Sequence, residues 1–266
     1  MKKLHLAVFS AALFMFLSLS LSASAQEKSD GKHKVVYRTF VVKDFTALDL
    51  SGAMKVVYTQ GPLSVKAKAP VEEMSLLKLK QKQGRLSASV ESANIRLRNR
   101  THIVLYVSAP KLTDLTLSGA TDFYCKELHT DVFDLQLSGA SEADFESFEA
   151  QELKAGLSGA SEMKIRGKAV KSNFVCSGSS ELSLHLSGNV LNVSNSGASN
   201  TDIDFNGGNV DVQASGSSDV KMILNCRQVS INASGASDVV ATGVAPKHFV
   251  KKSGASSVDV KSLRNK

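Results

Sequence analysis

The sequence predicts an all-β chain: a single-stranded parallel β-helix, or β-solenoid, of about eight rungs of 19–20 residues, preceded by a strand-rich cap. Two observations predict it. Four-residue blocks of the Ser-Gly-Ala-Ser type begin at Ser118, Ser138, Ser158, Ser177, Ser196, Ser215, Ser234 and Ser253, spaced 20, 20 and then 19 residues apart throughout. Between the blocks apolar residues recur at every second position, the period of a strand, and no stretch keeps the helical period of about 3.6.

Alignment on the serines turns the repeats into columns. Three residues before each serine stand Leu115, Leu135, Ala155, Phe174, Val193, Val212, Ile231 and Val250. Five residues after it come Phe123, Ala143, Met163, Leu182, Thr201, Val220, Val239 and Val258, followed two further on by Cys125, Phe145, Ile165, Leu184, Ile203, Met222, Ala241 and Val260. Each repeat therefore holds one strand leading into the serine block and one leaving it. A unit this short cannot bury its apolar face alone, whereas stacked copies pair in parallel about 4.8 Å apart and enclose a shared core. Eight rungs give a rod roughly 38 Å long, and the preference of parallel crossovers makes it right-handed. The extra residue of the two 20-residue repeats is expected in the second corner, around Glu127 to Val132 and Ser147 to Glu152.

At the serine corner, glycine allows a sharp turn and the small residue after it allows turns to stack. Hydroxyls at the first and fourth positions are expected to bond turn backbone or the serines above and below. These serines do not look like nucleophiles. That chemistry needs a positioned histidine and a strand-to-helix elbow, and His33, His102, His129, His185 and His248 share no column.

Before the repeats, Val35 to Val42, Leu48 to Tyr58, Val65 to Ala69, Leu86 to Val90 and Ile103 to Val107 read as strands, with turns at Gly61-Pro62 and Gln83-Gly84. The block Ser51-Gly52-Ala53 is an outlying member of the series. A solenoid exposes an unpaired edge at each end, so this region is the expected cap, with strands pairing onto the first rungs. At the other end Lys251, Lys252, Lys261, Arg264 and Lys266 guard the edge, where a partner chain could dock.

The amino terminus reads as a secretory signal peptide: Lys2 and Lys3, an apolar run from Leu4 to Leu21, then Ala23-Ser24-Ala25. The expected organisation is a signal peptide at 1–25, a flexible segment at 26–35, the cap at 36–110 and the repeat solenoid at 111–262. The mature chain is expected in the periplasm or outside the cell, without a membrane span. Its formal charge falls from +7 to +5 when Lys2 and Lys3 leave, a mild excess. Only Arg96, Arg98 and Arg100 cluster, without interleaved aromatics, so nucleic acid is not an expected partner. Three cysteines, Cys125, Cys176 and Cys226, cannot all pair and occupy different columns, which points to buried free thiols.

One polar column invites function. Asp122, Glu142, Glu162, Glu181, Asn200, Asp219 and Asp238 each follow a serine block directly. Carboxylates one rung apart repel by about 1 kcal/mol per pair even in water. Asp122, Glu142, Glu162, Glu181, Asp219 and Asp238 are therefore the candidate binding surface. Calcium held between rungs is one reading; a solvated edge whose carboxylates splay apart is the other, and no other cofactor is indicated. The glycine-rich nonapeptide of calcium-binding β-helices is absent.

The segment Leu48-Asp49-Leu50-Ser51-Gly52, the run Ala109-Pro110-Lys111-Leu112-Thr113-Asp114-Leu115-Thr116-Leu117-Ser118-Gly119-Ala120, and the repeated SGAS[DE] blocks resemble the putative autotransporter adhesin, head GIN domain family. The resemblance spans roughly Phe40 to Val260. It implies a β-helical fold in a Gram-negative cell envelope; it does not imply an enzyme, and it brings no catalytic residues. No run of alternating barrel strands follows Val260, so self-secretion is not expected.

Two functional readings follow. The first is a non-catalytic binding, adhesive or structural module whose partner is an envelope or extracellular protein or glycan, or a second copy joined end to end or edge to edge. The alternative is a carbohydrate-active β-helix enzyme, a polysaccharide lyase or hydrolase. Such enzymes need a cleft and aromatic sugar platforms, and here the corners are short, tryptophan is absent and there are four tyrosines. An ice-binding face is weaker still, since Thr121 is the only threonine in the serine blocks.

Overall fold

The computed structural model describes residues 34–91 and 102–264. The signal peptide, most of the flexible segment, His33 and the cluster Arg96, Arg98 and Arg100 lie outside the described residues. No described helix is long and apolar enough to cross a membrane.

The repeats stack as parallel rungs, in the register that the serine alignment predicts. β7 (Asp114–Leu137), β8 (Glu142–Leu157), β9 (Glu162–Cys176), β10 (Glu181–Asn195), β11 (Asn200–Ala214), β12 (Asp219–Ala233) and β13 (Asp238–Val244) pair in sequence order, and β14 (Lys247–Lys252) and β15 (Ser257–Arg264) close the last rung on β12 and β13. Phe123 sits against Ala143, Ala143 against Met163, and so on down the column, because each coil repeats the last. Every member of the three apolar columns is buried except Val250, Val258 and Val260 of the final rung.

The corner is held by backbone bonds that run rung to rung. The N–H of Ala140 donates to Gly119 O at 2.7 Å, and Ala160 to Gly139 O at 2.7 Å. Ser138 Oγ donates to Leu117 O and Ser158 Oγ to Leu137 O, at 3.3 and 3.2 Å, one rung back. Fourth-position hydroxyls divide: those of Thr121, Ser141, Ser237 and Ser256 donate to the carbonyl three residues back at 2.9 to 3.0 Å, whereas Ser161, Ser180, Ser199 and Ser218 Oγ are buried without a hydrogen-bond partner. The first-position serines are scaffold groups: Ser138 and Ser158 add a side-chain hydrogen bond to carbonyls that the rung ladder also uses, since Leu117 O accepts the N–H of Ser138 and Leu137 O that of Ser158, each at 3.0 Å.

The cap strands are β1 (Val35–Phe40), β2 (Ala47–Gln60), β3 (Ser64–Pro70), β4 (Leu77–Lys82), β5 (Arg85–Val90) and β6 (Val104–Ala109), with a single helical turn α1 (Val71–Met74). β2 lies parallel on β7 with Ser51 opposite Ser118 and Gly52 opposite Gly119, so the outlying block is a rung in full register. β5 and β6 pair with the far edge of β2, and then the sense reverses: β3 runs antiparallel to β6, β1 to β3, and β4 to β5. β4 and α1 are not legible in the sequence. Leu77 and Leu79 of β4 alternate with Lys78 and Lys80, but only Leu77 is fully buried and the run is short.

The extra residue of the longer repeats lies slightly ahead of the expected corner. β8 and β9 slip register between Phe145 and Phe148, where Glu146 and Ser147 oppose the single Arg166 in a β-bulge. The two longer coils enclose the bulkiest core. Phe145 packs on Phe123, Phe133 and Phe148 with ring centroids 5.6 to 5.9 Å apart, and Tyr58 continues the stack from the cap at 6.1 Å.

Candidate functional site

The acidic column is a geometric fact of the fold. Asp122 pairs with Glu142, Glu142 with Glu162, Glu162 with Glu181, Glu181 with Asn200, Asn200 with Asp219, and Asp219 with Asp238. The column starts beside Lys55 and ends beside Ser257. Asn200 divides it into an upper run of four carboxylates and a lower pair.

The upper run already contains a cation. Lys164, two residues along the strand on the same face, sends Nζ to 2.6 Å from Glu162 Oε1 and 3.8 Å from Glu142 Oε1. The Glu162 contact is the main cause holding the Lys164 ammonium above its ordinary range. Partial burial, with the neighbouring Glu162 charge behind it, pushes the Glu142 carboxyl upward despite Lys164. Asp144 stands beside this cluster with a buried Oδ1 that accepts no hydrogen bond. Lys164 and Asp144 were missed in the sequence because they lie two positions beyond the column. Among the described residues no three His, Cys, Asp or Glu side chains converge as a metal site would require.

The remaining chemistry-bearing groups are scattered. His129 Nε2 meets Glu127 Oε1 at 3.0 Å and its Nδ1 meets Glu149 Oε2 at 3.2 Å; the Glu127 bond leads in raising the imidazole above its usual range. His102 pairs with Glu73 in the cap at 3.2 Å, while His185 is exposed on an outer face and His248 is exposed on the last rung. All three cysteines are free and buried. Burial pushes the Cys125 and Cys176 thiols up to about 12 and raises Cys226 as well, so none is a thiolate at neutral pH.

Shallow grooves cross the outer faces, among them two along the repeat strands. One, of about 370 Å³, runs along the strands that leave the serine corner, between His185, Asp204, Lys221 and the exposed Ile223. The other, of about 590 Å³, lies on the side leading into the corner among Gln213, Asn232, Lys251 and Ser234. Each is a strip between side chains of successive rungs, with no corner loop rising beside it.

Several solved structures share this architecture. A putative adhesin from Bacteroides fragilis matches with a TM-score of 0.65 at 19% identity, covering 85% of this chain and 96% of that one. A putative lipid binding protein from Parabacteroides distasonis matches with a TM-score of 0.63 at 12% identity over 85% of this chain and 96% of its own. A putative adhesin from the same species gives 0.58 at 15% identity, over 86% and 98%. No curated protein matches the chain. The family model described as putative auto-transporter adhesin, head GIN domain, matches residues 44–204 and 185–266, which takes in β2 of the cap and every rung of the solenoid. A register shared from Ser51 to Ser253 and a family match over the same span lead to one conclusion: this chain belongs to the family described as putative auto-transporter adhesin, head GIN domain.

Proposed function

We propose that the chain is an exported, non-catalytic binding module of the cell envelope that presents its outer faces to a protein or glycan. The observation that carries this reading is the constancy of the coil. From Ser118 to Ser253 every rung is 19 or 20 residues long, so no corner of the solenoid holds an insertion able to wall a cleft. Catalysis on a β-helix needs acids, bases and substrate platforms gathered in such a cleft, whereas His129, Lys164 and the carboxylates are spread along a rod. The adhesin description of the family and of two structural neighbours supports the same reading.

The test pairs two measurements on one sample of the full mature chain. Saturable binding to an envelope fraction or a glycan array, with no new reducing ends or unsaturated uronates released from polysaccharides, is the expected result. Polysaccharide cleavage that follows the protein through purification would overturn it.

A further inference from the structure

The two ends of the rod are built differently. At the amino-terminal end β2 is covered on its far edge by β5 and β6, and the strands beyond them pair antiparallel, which ends the parallel rung pattern. At the other end β14 pairs only with β12 and β15 only with β13, so among the described residues their outer edges are open. The core is open with them. In one inward column Ile231 is 0% exposed and its neighbour on the last rung, Val250, is 37% exposed. Val258, Val260 and Leu263 are likewise only partly covered.

Backbone and charge at this end both ask for something. The N–H of Ser257 is spent on Ser237 O at 2.9 Å, so the next along the strand, that of Val258, points out of the open edge. Lys247, Lys251, Lys252, Lys261 and Arg264 surround that edge with Asp259 as the one acid between them. Lys252 and His248 even occupy inward columns, stacked on Ala233 and Val229. A second copy is a poor occupant. Two such ends face to face oppose like charges, and the outer strands of the cap carry Arg38, Lys78, Lys80 and Lys82.

We propose that β14 and β15 form a docking edge for an extended acidic protein segment, which adds as the next parallel rung. Its apolar residues close the core over Val250, Val258 and Val260, and its outward carboxylates meet Lys251, Lys261 and Arg264. A polyanionic glycan satisfies the charge but can neither continue the ladder nor cover the valines. This assignment rests on the binding-module reading only in taking the natural partner to be a protein.

The test uses the full mature chain and a fluorescent 19-residue peptide that copies the rung spacing, with Val at inward positions, Glu at outward ones and Ser-Gly-Ala-Ser at the corner. A control peptide carries Lys for every Glu. Saturable binding of the Glu peptide, weakened by salt and at least about tenfold tighter than the Lys peptide, is expected. Val258→Pro removes the outward N–H while sparing the bond of Ser257, and K251E/K252E/K261E reverses the charge; each should reduce binding about tenfold or more. Melting curves show that both variants are folded, and the charge triple variant stands alone if the proline variant is not. Equal binding of both peptides, equal displacement by dextran sulfate, or binding unchanged in the charge variant would overturn the proposal. So would self-association in sedimentation velocity that Val258→Pro abolishes, which would give the edge to a second copy. Envelope or glycan binding that persists in both variants would leave the binding-module reading intact while the docking edge fails.

Discussion

The carbonyl oxygen of Gly159 stands 2.6 Å from the point where a Cβ on Gly178 would sit, and Gly178 has a φ of +74°. Glycine is thus required twice at this corner: once for the left-handed turn and once because the rung before it leaves no room. Gly84, in the β4–β5 hairpin, has nearly the same φ of +73° but nothing within 4 Å of its missing Cβ.

That contrast separates strain from crowding. Gly84→Ala should cost only the conformational penalty, about 1–2 kcal/mol. Gly178→Ala carries the same penalty plus a backbone clash that the stacked turns cannot relieve, and should lower the melting temperature several times further. Equal losses in thermal melts would show that the corners can spread apart.

Asn195 is 1% exposed and occupies an inward column between Cys176 and Ala214, the column that Leu117, Leu137 and Leu157 begin. Its amide donates to Thr201 Oγ1 at 2.9 Å and its carbonyl oxygen accepts from the same hydroxyl at 3.2 Å. Removing either partner strands the other, so Asn195→Ala and Thr201→Val should each cost about 1–3 kcal/mol. The double variant N195L/T201V replaces a satisfied polar pair by apolar bulk and should recover most of the loss. A double-mutant cycle in urea built from N195L, T201V and N195L/T201V reads the coupling directly.

The pH dependence of the acidic column follows from Glu142. Its folded carboxyl titrates above the ordinary value, through partial burial first and Glu162 second. A raised folded value means that its favourable contribution is complete below the unfolded pKa of about 4.3 and lost as pH rises through the folded one. Glu142→Gln should therefore raise the melting temperature at pH 7 and change little at pH 3. A stabilisation that grows as pH falls would contradict the assignment.

Lys164 is the built-in counter-ion of the same cluster, and being partly exposed it should contribute no more than about 0.5 kcal/mol. Its removal matters more for cations. Lys164→Ala leaves Glu142, Glu162 and Asp144 unneutralised, so millimolar calcium should raise the melting temperature of that variant more than that of the wild type. Identical calcium responses would mean that the carboxylates splay too far apart to share an ion.

Buried thiols with raised pKa values predict silence. Native protein at pH 8 should react with a thiol-specific reagent at none of Cys125, Cys176 and Cys226, and at all three after denaturation. Rapid labelling of one native cysteine would reveal local opening of its rung.

The repeat period alone determined the rungs, the three apolar columns, the glycine corner and the alignment of Asp122 through Asp238. Each is a local pattern copied every 19 residues, and stacking identical coils in parallel leaves one register that buries the columns. Tertiary structure decided what has no repeat to announce it. The antiparallel reversal that closes the cap, the place of β4 and the joining of Ser51 to Ser118 depend on pairings between segments far apart in sequence, which local alternation does not encode. The bulge at Glu146 and Ser147 was fixed by where a 20-residue coil meets a 19-residue one, and the reach of Lys164 to Glu162 by which side chains share a face. The sequence already marks Lys251, Lys252, Lys261 and Arg264 as guards of an end edge; which strands form that edge was decided by the fold, where among the described residues β14 and β15 have one neighbour each.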